Sequence, residues 1–326
     1  MSTNITLALL QMSCSGKAQE NLDKVIQLAR EAAKKGAQII STQELFTNLY
    51  FCQENNEKYF VLAEEIPGKT TEVLGKLAKE LGVVLVASLF EKGPLTLPSP
   101  PRGEGKNIES TKDQVPSPLG GEGQGEGLNY YNTACVLDAD GTFLGKYRKV
   151  HIPNDLENYY SELYYFKPGD LGYPIFKTRF GNIGVQVCWD QWYPEGARSL
   201  ALQGAEIIFY PTAIGWPSDS FSPNSHRPEN NRVELGLTEY DAWFTIQRAH
   251  AIANTVFIAA CNRTGLENHL SFWGGSFIAD PLGRVLAKAS HDHEEILMAT
   301  CDLSEIERVR KDWPFLTCRR PEEYRT

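Results

Sequence analysis

The chain has 326 residues, 42% of them hydrophobic and 22% charged, with a formal net charge of −9; this is enough apolar material for one large core or two small ones. A sequence pI near 5.3 argues against a basic face for nucleic acid or an anionic membrane, and suits a cationic small molecule better than an anionic one. The amino-terminal residues lack a basic stretch followed by an apolar run, and no later segment approaches the apolar length of a membrane span.

In chain order, residues 5–11 read as a buried strand. Residues 21–35 read as a helix, with Leu22, Val25, Ile26, Leu28 and Ala29 at helical spacing and Gly36 as its stop. A short strand at 38–41 follows, then a helix at 70–81 and a strand at 83–90. From 93 to 127, Gly and Pro dominate and apolar residues nearly vanish, with a degenerate repeat of Pro98-Ser99-Pro100 against Pro116-Ser117-Pro118. Such a composition does not offset its ordering entropy by burial, so an insert at about 93–128 is expected to interrupt one domain spanning 1–326. Segments 131–138 and 142–149 flank Asp140-Gly141, a strong hairpin signal. Strand 183–188, helix 195–202 and strand 206–210 come next. Residues 216–232, rich in Pro, Ser and Asn, read as a lid or a surface loop. A helix at 242–254 and a strand at 256–260 precede a β-meander of segments 275–279, 284–288 and 295–301. Residues 302–326 read as a short helix and a polar tail, either docked on a partner or mobile. The succession predicts an α/β fold with mixed sheets.

Seven cysteines are scattered at 14, 52, 135, 188, 261, 301 and 318 without a Cys-x-x-Cys pair. The pattern suggests neither a zinc knuckle nor a disulfide framework, and it favours a reducing, cytoplasmic compartment. His291 and His293 lack a third ligand and read as a solvated turn, while His250 reads as a packing or hydrogen-bonding residue on a helix.

Three residues stand where chemistry is possible. Cys188 ends an apolar strand just before a helix, where the helix N-terminal field favours thiolate. By position alone, a buried structural cysteine is an equal reading. Glu44 follows the strand Ile39-Ile40-Ser41-Thr42 and suits a site at the carboxyl edge of a sheet. Lys149 lies in Tyr147-Arg148-Lys149-Val150-His151-Ile152-Pro153, at the exit of the hairpin.

Together, Gln43-Glu44-Leu45-Phe46, Tyr147-Arg148-Lys149 and Val187-Cys188-Trp189-Asp190 resemble the nitrilase superfamily, whose members carry a glutamate, a lysine and a cysteine in this order. The resemblance covers nearly the whole chain outside the insert. It implies a four-layer α-β-β-α sandwich and a homodimer or larger homo-oligomer, with helices 195–202 and 242–254 at the interface. It also implies a second glutamate after the lysine. Glu162 matches it best, from Ser161-Glu162-Leu163 before Pro168-Gly169-Asp170, and Glu157 is the alternative.

The implied mechanism needs no cofactor and no metal. Glu44 takes the proton of Cys188, the thiolate attacks an amide or ureido carbonyl, and Lys149 with the Trp189 N–H holds the oxyanion. Cys188 to Glu195, Tyr210 to Gly215, Tyr50 to Gln53 and Arg319-Arg320-Pro321 further resemble the branch that hydrolyses N-carbamoylputrescine. On that resemblance Tyr50, Trp189, Asp190, Gln191, Trp192 and Thr212 are candidate substrate contacts. No arginine follows the cysteine until Arg198, so a carbamoylated amine with a cationic tail is the expected substrate, the acid that receives the tail being left open. Simple amides, ω-amides and N-carbamoyl amino acids are the alternatives within the superfamily. A non-catalytic scaffold would not need the three residues.

Overall fold

The structure is a computed structural model that describes residues 3–93, 128–218 and 229–324, with the backbone alone for 229–237. The insert expected at about 93–128 falls almost wholly outside the described residues. Its two ends meet, Gly93 N donating to Asn129 O at 2.7 Å.

Two six-stranded mixed sheets form the centre. The first runs Glu295–Asp302, Asn4–Gln11, Ile39–Thr42, Val84–Lys92, Tyr130–Leu137 and Phe143–Arg148, and its second to fourth strands are parallel. The second runs Ile175–Thr178, Gly181–Val185, Ile207–Pro211, Phe257–Cys261, Phe277–Ala279 and Val285–Lys288, again with a parallel trio at positions two to four. The two sheets thus repeat one pattern of strand directions.

Both faces of the central strands are buried, which explains their nearly continuous apolar sequences. In Asn4–Gln11, Leu7 and Leu9 pack into the layer between the sheets, while Ala8 and Leu10 face helices α1 (Ala18–Lys34) and α2 (Lys69–Leu81). In Ile207–Pro211, Ile207 and Phe209 enter the inter-sheet layer. Ile208 and Tyr210 face α3 (Pro194–Leu202) and α4 (Glu229–Asn254). Period two in the strands therefore separates three apolar layers, each buried large side chain contributing roughly 1.5–3 kcal/mol. The result is the expected α-β-β-α sandwich. Helix α1 buries Leu22, Val25, Ala29 and Ala32 at helical spacing, and α2 stops at Gly82, whose φ of 66° suits glycine.

Three expectations need correction. Helix α1 begins at Ala18, before the apolar spacing starts, because its first turn is polar and exposed. Helix α4 begins at Glu229, not at residue 242. Asn230, Asn231, Gly236 and Thr238 are poor helix formers and concealed its first half. The end of the expected 216–232 loop is therefore helical, and 219–228 lie outside the described residues. Finally, the third segment of the expected meander leaves its neighbours. Glu295–Asp302 pairs antiparallel with Asn4–Gln11 in the other sheet, placing Leu297 and Cys301 in the inter-sheet layer and Ile296 and Met298 toward the α1 side. Helix α5 (Ser304–Asp312) follows as expected.

Candidate active site

The carboxyl ends of the two parallel trios lie together, and the chain turns sharply there. Glu44 follows Ile39–Thr42, and its N–H donates to Thr212 O beyond Ile207–Pro211, at 3.4 Å. Leu45 and Cys188 are non-glycine residues with positive φ, 48° and 43°, a strained geometry of a kind that clusters at functional sites. Arg263, beyond Phe257–Cys261, clamps the Glu44 turn. Its Nη2 donates to Glu44 O at 2.8 Å and Leu45 O at 3.1 Å, and its Nη1 to Glu267 Oε1 at 2.7 Å and Asn48 O at 3.0 Å.

Lys149 leaves the hairpin strand Phe143–Arg148 and points inward, with no exposed surface. Its Nζ donates to Glu44 Oε1 at 2.9 Å and to both Glu162 oxygens at 2.8 and 2.6 Å. Tyr50 OH donates to Glu162 Oε1 at 2.7 Å, and Asn132 Nδ2 to Glu44 Oε1 at 2.6 Å. Glu162 is thus the acid beside Lys149, whereas Glu157 is exposed. Among the described residues Glu44 Oε2 has no hydrogen-bond partner.

Burial opposes charge on Lys149, but Glu162 and Glu44 outweigh it and hold its pKa well above the usual lysine range. Burial is also the largest influence on Glu162 and pushes its pKa up, against Lys149 and with Glu44. In this geometry Lys149 donates to both of its oxygens and Tyr50 to Oε1, an arrangement that favours carboxylate. For Cys188, burial and then Glu44 push the thiol pKa well above normal, and Lys149 only partly offsets them. This corrects the expectation of a thiolate-favouring helix terminus. Cys188 opens a 3-10 turn, Cys188–Trp192, and α3 starts only at Pro194. Burial and Glu44 thus favour the thiol form, which assigns Glu44 the removal of its proton as the sulfur attacks.

A cavity of about 280 Å³ opens on Cys188 and Glu162. Trp189, Trp192, Trp273 and Tyr160 supply aromatic walls, and Asp155 and Glu239 add carboxylates. No lysine, arginine or histidine lines it among the described residues. Of the other sequence candidates, Trp189 and Trp192 reach the cavity, and Tyr50 reaches it through Glu162.

Asp190, Gln191 and Thr212 are fully buried and do not line the cavity. Asp190 is occupied by its neighbours, as Tyr147 OH donates at 2.7 Å, Val187 N at 3.0 Å and His151 N at 2.9 Å. It braces the cysteine turn from behind. Gln191 Oε1 accepts from Trp243 Nε1 at 2.8 Å, and its carbonyl bonds His250 Nε2 at 2.8 Å. Thr212 is held through its backbone N–H, which donates to Cys261 O at 2.8 Å.

Sequence reasoning missed Asn132, Arg263, Asp155, Tyr160, Glu239 and Trp273. Asn132 carried a signal, as a lone amide in the apolar run Tyr130–Leu137, and Arg263 stood just past a buried strand. The others lie in segments without local pattern. No group of three or more His, Cys, Asp or Glu side chains among the described residues is arranged to hold a metal ion, and no described helix is long and apolar enough to cross a membrane.

Residues 6–311 match the carbon-nitrogen hydrolase family. The chain is 39% identical to an N-carbamoylputrescine amidase of Solanum lycopersicum, over 98% of this chain and 94% of that one. It is 36% identical to a citrullinase of Francisella tularensis, over 98% and 97%. The crystal structure of a carbon-nitrogen hydrolase from Helicobacter pylori superposes with a TM-score of 0.81 at 38% identity, covering 98% of this chain and 97% of the other. With a family match across nearly its whole length and relatives this similar, the chain belongs to the carbon-nitrogen hydrolase family of the nitrilase superfamily.

Proposed function

We propose that the chain hydrolyses N-carbamoylputrescine to putrescine, carbon dioxide and ammonia, with Cys188 as nucleophile, Glu44 as base and acid, and Lys149 and Glu162 as their electrostatic support. One observation carries the reading: an aromatic, acid-lined cavity, with no cation on its wall among the described residues, opens on a cysteine beside a Glu-Lys-Glu cluster. The similarity to N-carbamoylputrescine amidases supports the choice of substrate.

The steps follow from the charges. Glu44, with Oε2 lacking a hydrogen-bond partner among the described residues, takes the thiol proton as sulfur attacks the ureido carbon. The tetrahedral oxyanion develops near the fixed positive charge of Lys149 and the Trp189 N–H. Collapse breaks the bond to the substituted nitrogen. Glu44 returns the proton to the leaving amine, and carbamoyl-cysteine remains. Water, deprotonated by Glu44, releases carbamate, which decomposes to carbon dioxide and ammonia. Glu162 keeps Lys149 charged and in place. This reading includes a homo-oligomer joined through α3 and α4, supported by the exposed Leu202 and Tyr193, and a cytoplasmic role in polyamine synthesis.

The test is a panel of N-carbamoylputrescine, citrulline, an N-carbamoyl amino acid without an amine tail, and an ω-amide. The cationic carbamoyl-amine should exceed the carboxylate-bearing carbamoyl compound in kcat/KM by about 100-fold or more, because burying the wrong charge leaves it unpaired. Equal turnover of both would refute the substrate while leaving the Glu-Lys-Cys mechanism standing. Size-exclusion chromatography with light scattering tests the assembly, and a monomer at micromolar concentration would remove that part.

A further inference from the structure

The carboxylates on the cavity wall are not equivalent. Glu162 is committed to Lys149 and Tyr50. Glu239 is exposed on α4, where water and salt screen its charge. Asp155 is half-buried and sits on the two-stranded ribbon Asn154–Asp155 and Tyr160–Ser161, paired directly with Tyr160. That ribbon leads straight into Glu162, so Asp155 and the reacting centre share one rigid element.

Neutral partners fix the Asp155 carboxylate. Asn158 N donates to Oδ1 at 3.2 Å and Asn158 Nδ2 to Oδ2 at 2.8 Å. No cation pairs with it among the described residues. The Tyr160 ring beside it is itself fastened, its hydroxyl donating to Gly215 O at 3.1 Å and accepting from Gly215 N at 3.0 Å. The cavity therefore holds an oriented carboxylate with lone pairs to spare, next to aromatic walls that suit a methylene chain ending in a cation.

Resting on the substrate reading above, we propose that Asp155 is the group that receives the distal ammonium of the carbamoylated diamine, and so sets the preference for a cationic tail. The pairing adds a charge-assisted hydrogen bond far from the carbonyl under attack. Its loss should weaken binding of the charged substrate without altering the thiol chemistry.

The experiment measures kcat/KM for N-carbamoylputrescine and for n-pentylurea, in which a methyl replaces the ammonium, in wild type, D155N and E239Q. In D155N the ratio of the two values should fall by about tenfold or more, mainly through KM for the charged substrate. The inhibition constant of added putrescine should rise by the same factor. E239Q should shift the ratio by less than about twofold. An unmoved ratio in D155N, an equal fall for both substrates, or a larger effect in E239Q would each overturn the assignment. A wild-type enzyme that ignores N-carbamoylputrescine but cleaves another member of the panel would sink the substrate reading and this inference with it. An active wild type with an unmoved ratio in D155N would remove this inference alone.

Discussion

Replacing Glu162 by glutamine should slow turnover while making Cys188 easier to ionise, two effects of opposite sign from one lost charge. Glutamine keeps the shape of the side chain but carries only one oxygen. Lys149 now donates to both Glu162 oxygens, at 2.8 and 2.6 Å, so in either orientation the amide NH2 group faces Nζ, together with the Tyr50 hydroxyl or the Asn132 amide. A hydrogen bond to a charged group contributes about 1.5–3 kcal/mol, and its loss at the oxyanion partner corresponds to roughly a 10- to 150-fold fall in kcat. The thiol moves the other way. Glu162 is one of the charges that raise the Cys188 pKa, so removing it lowers that pKa, and alkylation by iodoacetamide at fixed pH should speed up.

The pH profile adds a third readout. The Glu162 pKa is raised by burial to about 7, and protonation below that value would cost Lys149 an acceptor. The wild-type rate should therefore fall as pH drops through about 7. In E162Q that limb should vanish or move toward the ordinary carboxylate range. The assay is ammonia release alongside mass-spectrometric labelling of Cys188. An E162Q enzyme retaining more than about a third of wild-type kcat, or labelled more slowly than wild type, would refute the coupling.

Three further outcomes are expected. Cys188→Ala should abolish turnover with the melting temperature and elution volume preserved, and Cys188→Ser should be nearly inactive because a carboxylate is too weak a base for a hydroxyl; clear ammonia release by purified alanine variant would remove Cys188 as nucleophile. Arg263→Met should cost about 3–5 kcal/mol in denaturant unfolding, since it leaves Glu267 buried without its cation and frees the Glu44 turn; a loss under about 1 kcal/mol would show that the clamp contributes little. Deleting residues 94–127 and closing the gap with a short linker should leave kcat, KM and oligomer size intact, because Gly93 and Asn129 already meet at 2.7 Å; a folded deletion protein of altered assembly size would make the insert an interaction element.

What the sequence determined is what short-range pattern can carry. Alternation in Asn4–Gln11 and Ile207–Pro211 assigns one face of each strand to each apolar layer, and helical spacing in α1 marks its buried face, because side-chain direction follows backbone period. The motifs around Glu44, Lys149 and Cys188 were legible for the same reason: each is contiguous. Tertiary structure decided whatever depends on groups distant in the chain. The strand Glu295–Asp302 continues a hairpin rhythm yet pairs with Asn4–Gln11, since there Leu297 and Cys301 enter the inter-sheet layer while Ile296 and Met298 pack on the α1 side, a gain that outweighs local succession. Asp190 stands two residues after Cys188 but points into the protein, taken up by Tyr147, Val187 and His151. Asp155 and Trp273, which have no motif, face the cavity. The ionisation of Cys188 likewise belongs to the fold: a turn before a helix suggests thiolate, but burial and the charge of Glu44, delivered from the other sheet, push its pKa up and favour the thiol.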